Sequence, residues 1–134
     1  MKQMKLYIKT KTHNYSIVIG SNLTKKISKI LKNNSIRFKS CLLIIDTKIP
    51  IRKILDIKKS LRKKNIYTFF IKASENNKNI NYVNKIIEIL LKKNFSREDC
   101  LISIGGGITG DVAGFAASQF KRGLKFINIP TTLL

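Results

Sequence analysis

The sequence predicts an α/β fold: a largely parallel sheet with helices on both faces, preceded by an N-terminal β-hairpin. Three observations lead there. Apolar runs of strand length alternate with segments whose apolar residues recur at helical spacing. Two of the runs, CLLII (41–45) and CLISI (100–104), are apolar at nearly every position, the pattern of strands buried on both faces of a parallel sheet. The second of them leads directly into Gly105, Gly106 and Gly107 and then into a helical segment.

Taken in order, residues 4–9 and 15–19 read as two strands, and KTHN between them supplies turn residues for a hairpin. Ser21 and Asn22 are candidate N-caps for a helix over about 23–32, with Leu23, Ile27, Ile30 and Leu31 at helical spacing. The 41–45 strand ends at Asp46. Pro50 then stands where proline is tolerated at a helix start, and Ile51, Ile54, Leu55 and Leu61 mark the apolar face that follows. IYTFFI (66–71) is the next strand. After the polar stretch KASENNKN comes a third helix over about 80–92, with Ile80, Val83, Ile87, Leu90 and Leu91 on one side. The strand at 100–104, a helix at 108–120 and a last strand at 125–129 complete a single domain, as the length of 134 residues suggests.

Composition narrows the function classes. At 43% hydrophobic the chain can bury a core. No apolar run approaches the roughly 18 residues of a membrane span, and the first ten residues lack the continuous apolar stretch of a signal peptide, so a cytoplasmic protein with no membrane partner is expected. Cys41 and Cys100 each open a strand and read as buried thiols in a reducing compartment. His13, the single histidine, falls in the hairpin turn, and no cluster has zinc-ligand spacing, so no metal site is expected from these residues. The net charge of +20 would ordinarily point to nucleic acid. Lysine supplies 22 of the 27 cations, however, and is spread along the chain together with abundant isoleucine and asparagine, the residues of A/T-rich codons. The charge is therefore expected to reflect largely a biased genome, and a nucleic-acid partner is not expected.

Gly105, Gly107 and Gly110 satisfy G-x-G-x-x-G, the Rossmann-like turn. Its glycines serve a tight bend, close approach of backbone to a phosphate, and close helix–strand packing. The helix behind it offers unpaired N–H groups and positive partial charge to a pyrophosphate. Ala113, Gly114, Ala116, Ala117 and Ser118 are small enough to let that helix lie close to its neighbours. One feature departs from the Rossmann pattern. Asp111 is the last acidic residue, so no acid lies about 20 residues on for a ribose contact.

The longer string GGGITGDVAGFAASQFKRGLKFINIPTTLL (105–134) closely resembles the signature of 3-dehydroquinate synthases. The triple glycine, the Gly-Asp pair, the Ala/Gly-rich helix, the Arg-Gly pair, the apolar strand and Pro-Thr-Thr-Leu-Leu occur in order and without gaps. Upstream, Ala73, Ser74, Glu75, Asn76, Asn77 and Lys78 occupy the place of the family's Asp-Gly-Glu-x-x-Lys loop. Glu75 and Lys78 match, whereas Ala73 and Ser74 replace the Asp and Gly.

The resemblance implies an enzyme of the shikimate pathway that converts 3-deoxy-D-arabino-heptulosonate 7-phosphate into 3-dehydroquinate and phosphate. It implies NAD used catalytically, a divalent metal (zinc or cobalt) held by a Glu and two His of a C-terminal helical domain, and a homodimer. Carried onto this sequence, Glu75 and Lys78 would contact the adenosine or the nicotinamide half of NAD. Gly105, Gly106, Gly107, Ile108, Thr109, Gly110 and Asp111 would hold the pyrophosphate region, and Thr131 and Thr132 would hydrogen-bond the cofactor. Asp46 would approach the adenine ribose or else cap the next turn. Arg122 would reach the substrate phosphate of a partner subunit or else be a surface cation beside Lys121. The sequence stops at Leu134, with no counterpart of the metal ligands, so the expectation is a truncated NAD-binding fragment, inactive alone, without the helical metal domain. Two other readings remain: a relative of the glycerol or iron-type alcohol dehydrogenases, which share the fold and a glycine-rich turn, and a basic nucleic-acid-binding module.

Overall fold

The computed structural model describes residues 2–74, 76 and 80–131. An antiparallel hairpin comes first, β1 (Met4–Lys9) and β2 (Asn14–Ile19), paired from Met4↔Ile19 to Lys9↔Asn14. Its turn is closed by Thr10, whose amide donates to the His13 carbonyl at 2.9 Å and whose Oγ1 accepts the His13 amide at 2.9 Å.

The first predicted helix is broken. Residues Leu23–Lys25 form a 3₁₀ turn, and α1 covers Ile27–Asn33. Asn22 precedes the turn with φ 57° and makes no side-chain cap, so neither Ser21 nor Asn22 caps a continuous helix. With no cap and a kink at Lys26, only Ile27 and Leu31 of the expected apolar positions become buried.

β3 (Ser40–Asp46), β4 (Asn65–Ile71), β5 (Cys100–Gly105) and β6 (Lys125–Pro130) make one parallel sheet in the order β4-β3-β5-β6. Between them run α2 (Ile51–Ser60), α3 (Ile80–Lys92) and α4 (Gly107–Gln119). Strand alternation divides the core cleanly. Leu42, Ile44 and Leu101 face α3 and α4, where Val83, Ile86, Leu90, Ala113 and Ala116 meet them. Cys41, Leu43, Ile45, Cys100, Ile102 and Ile104 face α1 and α2, where Ile27, Leu31, Ile54, Ile57 and Leu61 meet them. Each such side chain, fully buried, contributes roughly 1.5–3 kcal/mol of transfer free energy.

Two helix faces differ from expectation. On α2, Ile51 and Leu55 are more than half exposed, and Ile57 is buried instead. On α3, Ile80 and Leu91 are both 57% exposed, while Ile86 is buried. At about 100° per residue, Ile80 and Leu91 lie roughly 60–80° round the helix from Val83, on the rim of the stripe that meets the sheet. Helix α3 ends on Asn94 at φ 56°, and the Phe95 amide reaches back to the Leu90 carbonyl at 3.0 Å. That left-handed cap folds Phe95 into the core, edge-tilted on Tyr67 at 5.8 Å between ring centres.

Candidate functional site

All four parallel strands end at one edge of the sheet, with Asp46 opposite Ile71, Ile45 opposite Ile104 and Gly105 opposite Pro130. From β3 the chain leaves through α2 toward β4, and from β5 it leaves through α4 toward β6 on the other side. A crevice outside the carboxyl ends of β3 and β5 is where such a reversal of strand order places ligands.

The glycine turn occupies that crevice, and each glycine has a separate cause. A Cβ on Gly105 would stand 2.8 Å from Thr109 Oγ1 and 3.1 Å from Asp46 Cβ, so only glycine lets the turn pass between them. A Cβ on Gly110 would stand 3.2 Å from Asn128 Oδ1, and one on Gly114 would stand 3.2 Å from the Phe126 ring. These two let α4 lie directly on β6. Gly107 has no such reason: a Cβ there would meet nothing within 4 Å among the described residues. Its bareness keeps open the space in front of the helix.

Helix α4 begins without a side-chain cap, and its first turn carries no acid. The first intrahelical bond of the turn runs from the Gly110 amide to the Gly106 carbonyl at 3.1 Å. The earlier amides of the turn are the unpaired donors of a helix start, with the positive end of the helix dipole behind them. Thr109 is fully buried, and its Oγ1 has no hydrogen-bond partner among the described residues. Below it, Ser103 Oγ donates to Asn128 Oδ1 at 2.6 Å. Sequence reasoning missed this pair. Its signal was present: a polar residue inside each of two apolar runs, in register, on the face that meets α4.

Most of the predicted site residues converge on this edge. Asp46 is buried against Gly105, and its Oδ1 accepts the Lys48 amide at 3.0 Å, the local turn role. Ile108 and Gly110 are half-buried, and Gly107 and Asp111 are exposed. Ala73 and Ser74, both half-buried, and the exposed Asn76 follow the end of β4. Thr131 is exposed, and its amide donates to the Gly105 carbonyl at 2.9 Å. Glu75, Asn77, Lys78 and Thr132 lie outside the described residues.

Arg122 does not join them. It sits in the connection between α4 and β6, at the amino edge of the sheet, and α4 spans about 20 Å between the two edges. It is exposed in a tight turn, where Lys121, Arg122 and Gly123 have φ of 43°, 65° and 113°.

The thiols are remote from the crevice as well. Cys41 and Cys100 are register partners near the amino edge, both buried and free. Burial pushes the Cys41 thiol up to about 12, and burial, then the neighbouring Cys41, pushes Cys100 up too. Neither is a nucleophile or a ligand in this state.

A family profile described as "3-dehydroquinate synthase N-terminal" matches residues 68–134, half of the chain, including the whole glycine turn and β6. The chain belongs to the 3-dehydroquinate synthase family. A 3-dehydroquinate synthase of Pelagibacter ubique (strain HTCC1062) is 60% identical over all 134 residues, which correspond to 36% of its length. Another, of Bartonella tribocorum (strain CIP 105476 / IBS 506), is 35% identical over the whole chain and 37% of its own length. The chain thus spans about a third of the curated relatives it matches. A solved structure of 2-deoxy-scyllo-inosose synthase, complexed with carbaglucose-6-phosphate, NAD+ and Co2+, shares the fold with a TM-score of 0.85 at 21% identity. It covers 96% of this chain and 35% of that one.

Set against the family's ligands, the residues present fit a dinucleotide and do not fit a metal. Among the described residues, the crevice offers the first amides of a helix, a hydroxyl without a partner and a glycine facing open space. No group of three or more His, Cys, Asp or Glu could hold a metal ion among the described residues, and His13 is exposed in the hairpin turn. No helix of the described residues is long and apolar enough to cross a membrane.

Proposed function

We propose that residues 1–134 are the NAD-binding N-terminal part of a 3-dehydroquinate synthase, which converts 3-deoxy-D-arabino-heptulosonate 7-phosphate into 3-dehydroquinate and phosphate. NAD, bound in the crevice, supplies a hydride acceptor that is regenerated within the turnover. The observation that carries the reading is the uncapped start of α4 at the strand-order reversal, with Gly107 bare and facing open space. Within the turn 105–111, the amides ahead of Gly110, which open α4, hold the pyrophosphate, as a helix start holds any bound phosphate. Asp46 borders the ribose, Ala73, Ser74 and Asn76 follow the strand on one side and Thr131 that on the other, and Glu75, Lys78 and Thr132 would add contacts to the cofactor.

The position of Arg122, an α4 length away from this crevice, supports a role across a homodimer, on the phosphate of a substrate bound to the partner subunit. The family's divalent metal, zinc or cobalt, needs two histidines, and these 134 residues hold one. Its ligands belong to the two thirds of the family's length that these residues do not span. A cytoplasmic location accords with a biosynthetic enzyme whose two cysteines are free. The Arg-Gly pair and Pro-Thr-Thr-Leu-Leu favour the synthase over the iron-type alcohol dehydrogenases.

Calorimetric titration of the 134-residue chain with NAD tests this. Weak, saturable binding is expected, and Gly107→Val is expected to weaken it more than roughly tenfold by filling the phosphate space, with the melting temperature unchanged. Equal affinity in the variant would overturn the placement. No dehydroquinate formation by this chain alone is expected, and measurable turnover would overturn that.

A further inference from the structure

The 3₁₀ turn, α1 and the end of α2 enclose a cleft of about 410 Å³ on the far side of the sheet from α4. Six of the side chains lining it are cations: Lys25, Lys26, Lys29, Lys32, Arg62 and Lys63. The other two are hydroxyls, Ser28 and Ser60, joined where the Ser28 amide donates to Ser60 Oγ at 3.0 Å. No carboxylate lines the cleft. Lysines that are spread along the sequence therefore converge in space, contrary to the impression the sequence gives. The packing of Ile27 and Leu31 against Ile54, Ile57 and Leu61 brings the two basic segments together.

We propose that this cleft binds a small polyphosphorylated anion, one with two or more linked phosphates, at a site separate from the glycine turn. Like charges gathered in a concave surface focus the field and raise the local concentration of anions. Six cations around one cavity, with no carboxylate among them, offer charge-assisted hydrogen bonds to more than one phosphate at once. The cavity is of small-ligand size. A nucleic acid calls for cations laid out along a strip that tracks a backbone, and these cations instead surround one concavity. Arg62 Nη1 is steadied by the Lys59 carbonyl at 3.3 Å, which holds one guanidinium at the rim.

The test titrates tripolyphosphate into the full 134-residue chain at physiological salt, about 0.15 M. One saturable site per chain is expected. The pair Lys29→Glu and Lys63→Glu is expected to weaken binding roughly tenfold or more, because two contacts become repulsions. The pair Lys5→Glu and Lys9→Glu on the hairpin changes net charge equally and is expected to leave affinity within about twofold. Equal losses in the two double variants would reduce the effect to net charge and overturn the site. So would loss of binding in Gly107→Val, which would place the anion at the glycine turn. Vesicles carrying phosphatidylinositol 4,5-bisphosphate form a second arm. Binding of soluble tripolyphosphate that the vesicles cannot displace assigns the site to a free anion, and displacement assigns it to a lipid headgroup of the same chemistry. A duplex oligonucleotide that outcompetes tripolyphosphate would overturn the small-ligand reading.

Discussion

The same four strands build both edges of the sheet, and the two edges end in opposite states. At the amino edge polar groups find partners. Asp99, buried, accepts the Ser40 amide at 3.0 Å, the Ser96 amide at 2.9 Å and the Ser96 hydroxyl at 3.4 Å. Lys121 Nζ donates to the Phe95 carbonyl at 2.9 Å, and Lys125 Nζ donates to the carbonyls of Arg37 at 2.5 Å and Glu98 at 3.2 Å. At the carboxyl edge, among the described residues, α4 starts uncapped, the Thr109 hydroxyl is buried without an acceptor, and Gly107 faces open space. Since a buried polar group left unpaired is costly, the bonded edge is where the loops are closed and stability resides. The bare edge leaves the first amides of α4 and the Thr109 hydroxyl without partners among the described residues.

The comparison breaks hardest at Asp99. Asp99→Ala removes one acceptor from three donors and is expected to lower stability by roughly 3 kcal/mol, since bonds to a charged group are worth more than neutral ones and the donors stay behind. Urea unfolding measures it. A loss below about 1 kcal/mol would mean that water replaces the carboxylate and that the edge is less sealed than its geometry says. NAD binding by the folded fraction is expected to be unchanged, because the crevice lies at the other edge.

Within the bare edge, two glycines of one motif are expected to part company. Gly105→Ala forces a methyl to within 2.9 Å of Thr109 Cβ and 3.1 Å of Asp46 Cβ. Roughly 2 kcal/mol of destabilisation is expected from such overpacking. Gly107→Ala meets nothing and is expected to stay within about 0.5 kcal/mol. Thermal melts of the pair decide whether the motif's glycines are separable into a structural and a ligand-facing one. Equal losses would show that the whole turn is conformational.

The buried thiols sharpen the comparison through pH. Burial raises Cys41 from 9.0 to about 12 and raises Cys100 as well, so the unfolded thiols ionise first. The stability they confer is complete below pH 9.0 and is lost as pH climbs from there toward about 12. Between pH 9 and 10 each thiol is expected to lower the unfolding free energy by about 1 kcal/mol. A Cys41→Ala, Cys100→Ala double variant is expected to flatten that part of the urea midpoint profile. A slope as steep as that of the parent would show that the thiols reach solvent in the folded state.

How much of this was legible beforehand follows from what sets each feature. The parallel sheet and the glycine turn were readable because CLLII and CLISI have the pattern of strands buried on both faces, and the glycines follow one of them; the strand order, and with it the crevice, came only from the structure. The buried arc of each helix was less readable. Ile51 and Ile80 lie about 60° round from Ile54 and Val83, and Leu55 and Leu91 about 80–100°, on the flank of the buried stripe, and only the line of the sheet settles how far round burial extends. Arg122 lies twelve residues beyond Gly110 in sequence yet at the opposite edge in space, because a helix intervenes. The basic cleft was hidden for the converse reason: its cations come from segments that only tertiary packing joins.

The smallest expected effect tests the bare edge most directly, because it has the opposite sign. Thr109 is fully buried and its hydroxyl has no partner among the described residues, so within them that group is desolvated on folding with nothing gained in return. Thr109→Val keeps the shape and removes the hydroxyl. In the free chain it is expected to raise stability by about 1 kcal/mol, seen as a higher melting temperature. If the hydroxyl is held in reserve for the bound state, saturating NAD is expected to stabilise the parent more than the variant, and the gain narrows. A variant less stable than the parent without ligand would mean that Thr109 has an acceptor in solution, and the contrast between the two edges would then rest on Gly107 and the uncapped helix alone.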